Sequence, residues 1–191
     1  EEKVNGSTYT YKVNSPVNRY IQVKITLTSG NGVYASVVSD YTINYYQDTV
    51  APTNPSSLSS YSTSTQSASI STDTWYNYTA PNFTWPDIGN AGAASDGVSG
   101  SGISGYYVYF GTDSAADPQS LGTLQTGLSY TALSLVSGST YYLRIKAVDN
   151  ANNVAAATWQ PFIYKYDSEA PTNPSTIVAD PPGYTNTNSF N

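Results

Sequence analysis

Alternation of apolar and polar residues dominates the chain. In "STYYLRIKAVDN" (139–150), Tyr141, Leu143, Ile145 and Ala147 fall on one side and Tyr142, Arg144 and Lys146 on the other. "SGYYVYFGT" (104–112) repeats the pattern with Tyr106, Val108 and Phe110, and "PNFTWP" (81–86) puts Phe83 and Trp85 on one face. A period of two predicts strands with one buried face. "NVAAATWQPFIYKY" (153–166) closes this unit, which runs over 56–166. Turn signals between strand-length segments predict an antiparallel β-sandwich. The stretch "DSAADPQSLGT" (113–123) has room for one helical turn and no more.

The first 47 residues alternate as well. In "RYIQVKITLTS" (19–29), Ile21, Val23, Ile25 and Leu27 share a face, and in "VVSDYTINYY" (37–46) Tyr41, Ile43 and Tyr45 align. So thin a sheet reads as the C-terminal part of a preceding β-domain. "RYIQVKITLT…SDYTI" resembles the closing strands of jelly-roll modules in large secreted proteins.

One phrase is written twice. "DTVAPTNP" (48–55) and "DSEAPTNP" (167–174) share six of eight residues. "NSFN" near the chain end then parallels "PNFT" in the central unit. The phrase therefore marks a junction, and 167–191 reads as a linker and the start of a further repeat. Two prolines three residues apart fix φ and restrict their predecessors, which predicts stiff, extended connectors. Small sandwiches joined in this way build an extended array in which each module meets mainly its neighbours.

Composition narrows the setting. Only 10% of the 191 residues are charged, against about 25% in an average domain. Ser, Thr, Asn, Gly and 19 tyrosines take their place, a strand-and-turn palette. This low-lysine surface predicts an extracellular protein on a prokaryotic cell surface. The net charge of −6 repels phosphates, so no nucleic-acid partner is expected. No stretch has the length of a membrane-spanning helix. There is no histidine or cysteine, so triads built on either are excluded and no disulfide forms. No phosphate-binding glycine loop enters a helix, and no catalytic residue is predicted.

The central unit resembles a fibronectin type III or related bacterial Ig-like domain. The resemblance rests on "WPD", "SGYYVY" and the run L-x-x-G-x-x-Y-x-x-R-I-x-A-x-D-N-A-x-N. It implies that Trp85 is the strand-B tryptophan and that Tyr106 and Val108 are the strand-C core pair. Leu135, Gly138 and Tyr141 match the L-x-P-G-T-x-Y pattern, with Ser137 in place of proline, so Tyr141 becomes the tyrosine-corner residue. The unit is long for this family, with the excess in 59–79 and 87–103.

The resemblance also brings the loops 87–102 and 149–153 and the entering linker to one pole. Asp48, Asp87, Asp96, Asp149 and Asn152 would then be neighbours, and such an all-oxygen set suits Ca²⁺. Interdomain Ca²⁺ occurs in similar adhesin arrays. Asp and Asn are equally ordinary turn formers, which leaves a site without metal as the alternative. Tyr107, Tyr109 and Tyr142 fall on the outward face of neighbouring strands. They are candidates for contact with carbohydrate or another cell surface, or else simply stabilise the sheet. Sequons at Asn5, Asn77 and Asn82 are candidate glycosylation sites, with Asn82 disfavoured because it enters a core strand.

The function expected is therefore a non-enzymatic section of a repeat-built stalk, adhesin or filament, with neighbouring modules or copies of itself as partners. Two alternatives stand beside it. One is an accessory region of a secreted carbohydrate-active enzyme. The other is a filament subunit assembled by β-strand donation.

Overall fold

The computed structural model describes residues 47–176. The sheet expected within 1–46 and the repeat start expected in 177–191 lie outside them. Eight strands and one helical turn follow in order. They are β1 (Ser59–Tyr61), β2 (Thr74–Tyr76), β3 (Asn82–Thr84), β4 (Ile103–Gly111), α1 (Pro118–Leu121), β5 (Thr123–Gln125), β6 (Ser129–Thr131), β7 (Ser139–Asp149) and β8 (Trp159–Tyr166). The described chain is all-β but for that turn. One sheet has the order β1-β3-β6, the other β2-β8-β7-β4-β5. All pairings are antiparallel except β2 with β8.

The long strands form because their alternation feeds one core. Tyr141, Leu143, Ile145 and Ala147 of β7 are buried, as are Tyr106 and Val108 of β4 and Phe162, Tyr164 and Tyr166 of β8. From the smaller sheet Phe83 packs between Phe110 and Phe162, with ring centroids 5.6 and 5.0 Å away. Trp85, 4% exposed, meets Tyr106 edge-on at 5.4 Å. Phe110 stacks on Tyr141 at 5.3 Å. Offset and edge-to-face contacts of this kind add to the burial of large apolar area. Leu135 is half-buried against this cluster. The two sheets thus share one aromatic layer.

Irregularities follow local chemistry. Pro161 lies inside β8 yet cannot donate to the ladder, and the β7–β8 register shifts between Leu143 and Ile145, beside it. At Gly105 a Cβ would stand 2.6 Å from the Gln125 carbonyl, so only glycine allows β5 to approach this closely. The β4–β7 register shifts at the same place. The turn into β7 is held by Tyr141, whose hydroxyl accepts the Val136 N–H at 2.7 Å, while Gly138 takes φ +78°.

Two contrasted tyrosines test the core. Tyr141→Phe deletes an acceptor for a backbone N–H and should cost about 1 kcal/mol. Tyr106 is 2% exposed and its hydroxyl has no protein partner, so Tyr106→Phe should cost nothing measurable. Trp85→Ala should cost about 3–5 kcal/mol. Denaturant unfolding of the three variants checks the order, and a loss at Tyr106→Phe equal to that at Tyr141→Phe would overturn it.

Candidate functional site: the docked junction and its acidic pole

The phrase 48–55 does not hang between domains. Pro52 and Pro55 are buried. Thr53 and Ser95 exchange backbone hydrogen bonds of 2.7 and 3.3 Å, and the Ser56 N–H donates to the Gly92 carbonyl at 2.8 Å. Asn54 makes two contacts. Its Oδ1 accepts the Ala147 N–H at 2.8 Å and its Nδ2 donates to the Ala157 carbonyl at 2.7 Å. Ala147 is fully buried on β7, level with a loop that has not yet become β8. A buried backbone donor needs a partner, and the Asn54 amide supplies it. The segment expected to be a connector is docked on the sheets that follow it.

Asp48 enters at the same pole. Its Oδ2 accepts the Ser101 N–H at 2.7 Å and its Oδ1 the Val50 N–H at 3.0 Å. These backbone donors, Val50 first, hold its carboxyl below the usual Asp range. Carboxylate oxygens of Asp48, Asp96 and Asp149 lie within 4.8 Å of one another. Asp149 is wholly buried at the end of β7 and accepts the Asn153 N–H and Nδ2, each at 2.8 Å. Asp96 accepts the Gly102 N–H at 2.6 Å through Oδ2, while its buried Oδ1 has no partner. Burial, then the charges of Asp48 and Asp149, push its carboxyl up. The two ion pairs among the described residues, Lys146–Asp117 and Lys165–Asp73, lie elsewhere. Among the described residues no lysine or arginine pairs with these three carboxylates.

Two residues expected in this cluster sit outside it. Asp87 caps its own turn, its Oδ1 accepting the Ile88 N–H at 2.7 Å. It lines a separate cavity of about 110 Å³ with Ser104, Tyr106 and Thr126, and its charge adds to burial in pushing the Tyr106 phenol up. Asn152 is exposed at φ +67° and serves the turn through its backbone, its N–H donating to the Asp149 carbonyl at 3.2 Å. The next residue, Asn153, binds Asp149 and also donates Nδ2 to the Asp48 carbonyl at 3.2 Å. In "DNANN" nothing in the sequence separates the two asparagines. Only the left-handed turn at Asn152 aims Asn153 inward.

The outward tyrosines are half-buried and individually engaged. Within the larger sheet Tyr107 pairs across strands with Lys146 and Leu124, Tyr109 with Arg144, and Tyr142 with Gly111 and Ile163. The Tyr109 hydroxyl accepts the Asp113 N–H at 3.1 Å. The β4–β5 connection is strapped over this face. Arg144 donates to the carbonyls of Ser114 and Ala116, and Lys146 pairs with Asp117 at 3.0 Å. Lys146 holds the Asp117 carboxyl below its usual range. Cations thus alternate with the rings instead of an unbroken aromatic platform. Of the sequons, Asn77 is exposed after β2. Asn82 is buried, with Nδ2 donating to Thr131 Oγ1 at 2.9 Å. Asn5 lies outside the described residues.

No family model and no curated protein matches the chain.

Asn54→Ala strips the buried Ala147 N–H of its acceptor and should destabilise the domain by about 1–3 kcal/mol. Asn152→Gly should be close to neutral, because glycine takes a positive φ freely. Thermal unfolding of both variants reads this out, and an Asn54→Ala effect no larger than that of Asn152→Gly would show that the phrase is only tethered.

Proposed function

We propose that the chain is a non-enzymatic section of an extracellular, repeat-built structural or adhesion protein, made of fibronectin type III-like sandwiches in tandem. One observation carries this reading: the phrase that locks onto the acidic pole of this module is written again directly after its last strand. Chemistry would not require that repetition, whereas a chain of identical joints does. The strand order supports the family assignment. In Ig-related sandwiches strands A, B and E face C, F and G, and β1, β3 and β6 face β4, β7 and β8 in the same sense. The Tyr141 hydroxyl on the preceding turn supports it again.

In this reading Ca²⁺ is the ion of the joint. Asp48, Asp96 and Asp149 offer carboxylate oxygens, and the unpartnered Asp96 Oδ1 is a free ligand atom among them. A hard cation with a preference for oxygen fits this set, and water would complete its six to eight ligands. Binding ties the entering chain to both loops of the pole and stiffens the joint.

The pH dependence has a definite sign. The raised Asp96 carboxyl keeps its proton more tightly in the folded state. Without metal, its contribution favours folding in acid and fades as pH rises through its folded-state value. Asp48 works in the opposite sense: its contribution is present above the ordinary Asp range and is lost as pH falls through its lowered value. Metal binding needs Asp96 ionised, so Ca²⁺ affinity should weaken as pH falls through the range in which Asp96 takes its proton.

The test is calorimetry and solution scattering of the whole chain in Ca²⁺ and in chelator. Ca²⁺ at about 100 times its dissociation constant should add about 2.7 kcal/mol of stability and lengthen the particle. Asp96→Asn should raise the melting temperature in chelator, by removing a repelling charge, and abolish the Ca²⁺ increment. An increment that survives Asp96→Asn would overturn the ion site. Release of sugar from polysaccharide by the purified chain would overturn the non-enzymatic reading.

A further inference from the structure

The second phrase begins with the same turn as the first, but among the described residues its Ala170–Pro174 stretch is undocked. Asp167 forms the same local turn as Asp48: the Glu169 N–H donates to Asp167 Oδ1 at 2.9 Å, as the Val50 N–H does to Asp48 Oδ1 at 3.0 Å. Ser137 Oγ also donates to Asp167 Oδ1, at 3.0 Å, and accepts the Ser168 N–H at 2.9 Å. The departing chain is thus aimed by the turn that precedes β7. Beyond it Ala170, Pro171, Thr172, Asn173 and Pro174 are all exposed, whereas Pro52 and Pro55 are buried.

The exposed phrase does not dock at the pole of its own module. Tyr166 registers with Ser139 at the start of β7, while Ala147, the group that Asn54 holds, lies eight residues further along the strand. At about 3.3 Å per residue that is about 26 Å. Asn173 is seven residues beyond Tyr166 and spans at most about 25 Å fully extended, with no allowance for turning back around the sheet. The pole is also already filled by 48–55.

We infer that Asp167–Pro174 is a docking segment whose receptor is the acidic pole of a second module of this same kind. There Asn173 takes the role of Asn54, closing on one backbone N–H and one carbonyl, Thr172 that of Thr53, and Asp167 that of Asp48. The last strand of one module and the carboxylate of the next pole are then adjacent residues, Tyr166 and Asp167, with no free linker between them. The contact is head-to-tail, so it propagates and does not close into a symmetric pair. This inference rests on the repeat-built reading and adds the atoms of the joint.

A second copy of the chain can serve as the receptor in the test. In the full-length chain, Asp48–Pro55 is replaced by an eight-residue Gly/Ser segment, which empties the pole. Sedimentation should then show concentration-dependent association, at least tenfold stronger than for the unaltered chain, and the further change Asn173→Ala should remove it. A folded replacement chain that stays monomeric, or that associates equally with Asn173→Ala, overturns the inference. If the replacement chain does not fold, a chain with Pro52→Ser, Asn54→Ala and Pro55→Ser, whose own phrase is loosened from the pole, is used with a millimolar peptide covering residues 166–176. Exchange of the Ala147 amide should slow at least tenfold with that peptide and not with its Asn173→Ala form. Equal exchange with both peptides overturns the inference. The outcomes separate from those of the function itself, since Asn173-dependent association would persist in a chain found to hydrolyse polysaccharide or to ignore Ca²⁺.

Discussion

A single carboxamide closes the module. Where β7 runs past the start of β8, its Ala147 N–H is buried with no strand opposite it, and the loop leading to β8 carries an open carbonyl at Ala157. Asn54 answers both groups at once, at 2.8 and 2.7 Å. A buried backbone group left unpaired costs as much as a lost hydrogen bond, so this end of the larger sheet is complete only with the entering chain in place. The position of everything else at the pole follows. Thr53 is carried against Ser95, which fixes the loop bearing Asp96, and Asp48 is carried to Ser101 and Asn153. The segment 48–55 and the loops around it are one hydrogen-bonded object.

That dependence explains why the prolines matter in more than one way. They stiffen the phrase, as their restricted φ demands, but they are also buried apolar surface on either side of Thr53 and Asn54. A residue with an N–H at either position would bring a donor into the interface that needs a partner of its own. Proline removes the donor and holds the extended conformation that lets Asn54 face the sheet edge.

Much of the larger sheet was legible in the sequence. The inward set of β7 is the alternation of Tyr141, Leu143, Ile145 and Ala147, and the partners from β4 follow from Tyr106 and Val108. A strict period of two leaves little freedom, since a slip of one residue would expose the whole set. The short strands β1, β2, β5 and β6 carry no such pattern and are set by what they pair with. At the pole, residue type was legible and direction was not. Asp87 and Asn152 have the right chemistry, but their turns spend them locally. Asn153 differs from Asn152 only in lying beyond a left-handed residue. The phrase 48–55 showed its stiffness in its prolines, while its docking depended on Ala147 and Ala157, which are silent in sequence because only their backbone is used.

The scarcity of charge has a structural counterpart in the use of tyrosine. With 10% charged residues the described module has two ion pairs, and one of them, with Arg144 beside it, straps the β4–β5 connection to the sheet. Elsewhere tyrosine hydroxyls do the work that charged or short polar side chains do in other domains. Tyr76 accepts the Ser71 N–H, Tyr109 the Asp113 N–H and Tyr141 the Val136 N–H, while Tyr164 donates to the Tyr78 carbonyl at 2.6 Å. Each ring lies in or against the sheet while its oxygen reaches a backbone group in a loop. One side chain thus contributes apolar burial and a turn constraint together, without the desolvation cost that a charge would carry. The acidic pole stands out against this economy. It concentrates three carboxylates in a protein that otherwise avoids charge, where the segment 48–55 meets the loops 87–102 and 149–153.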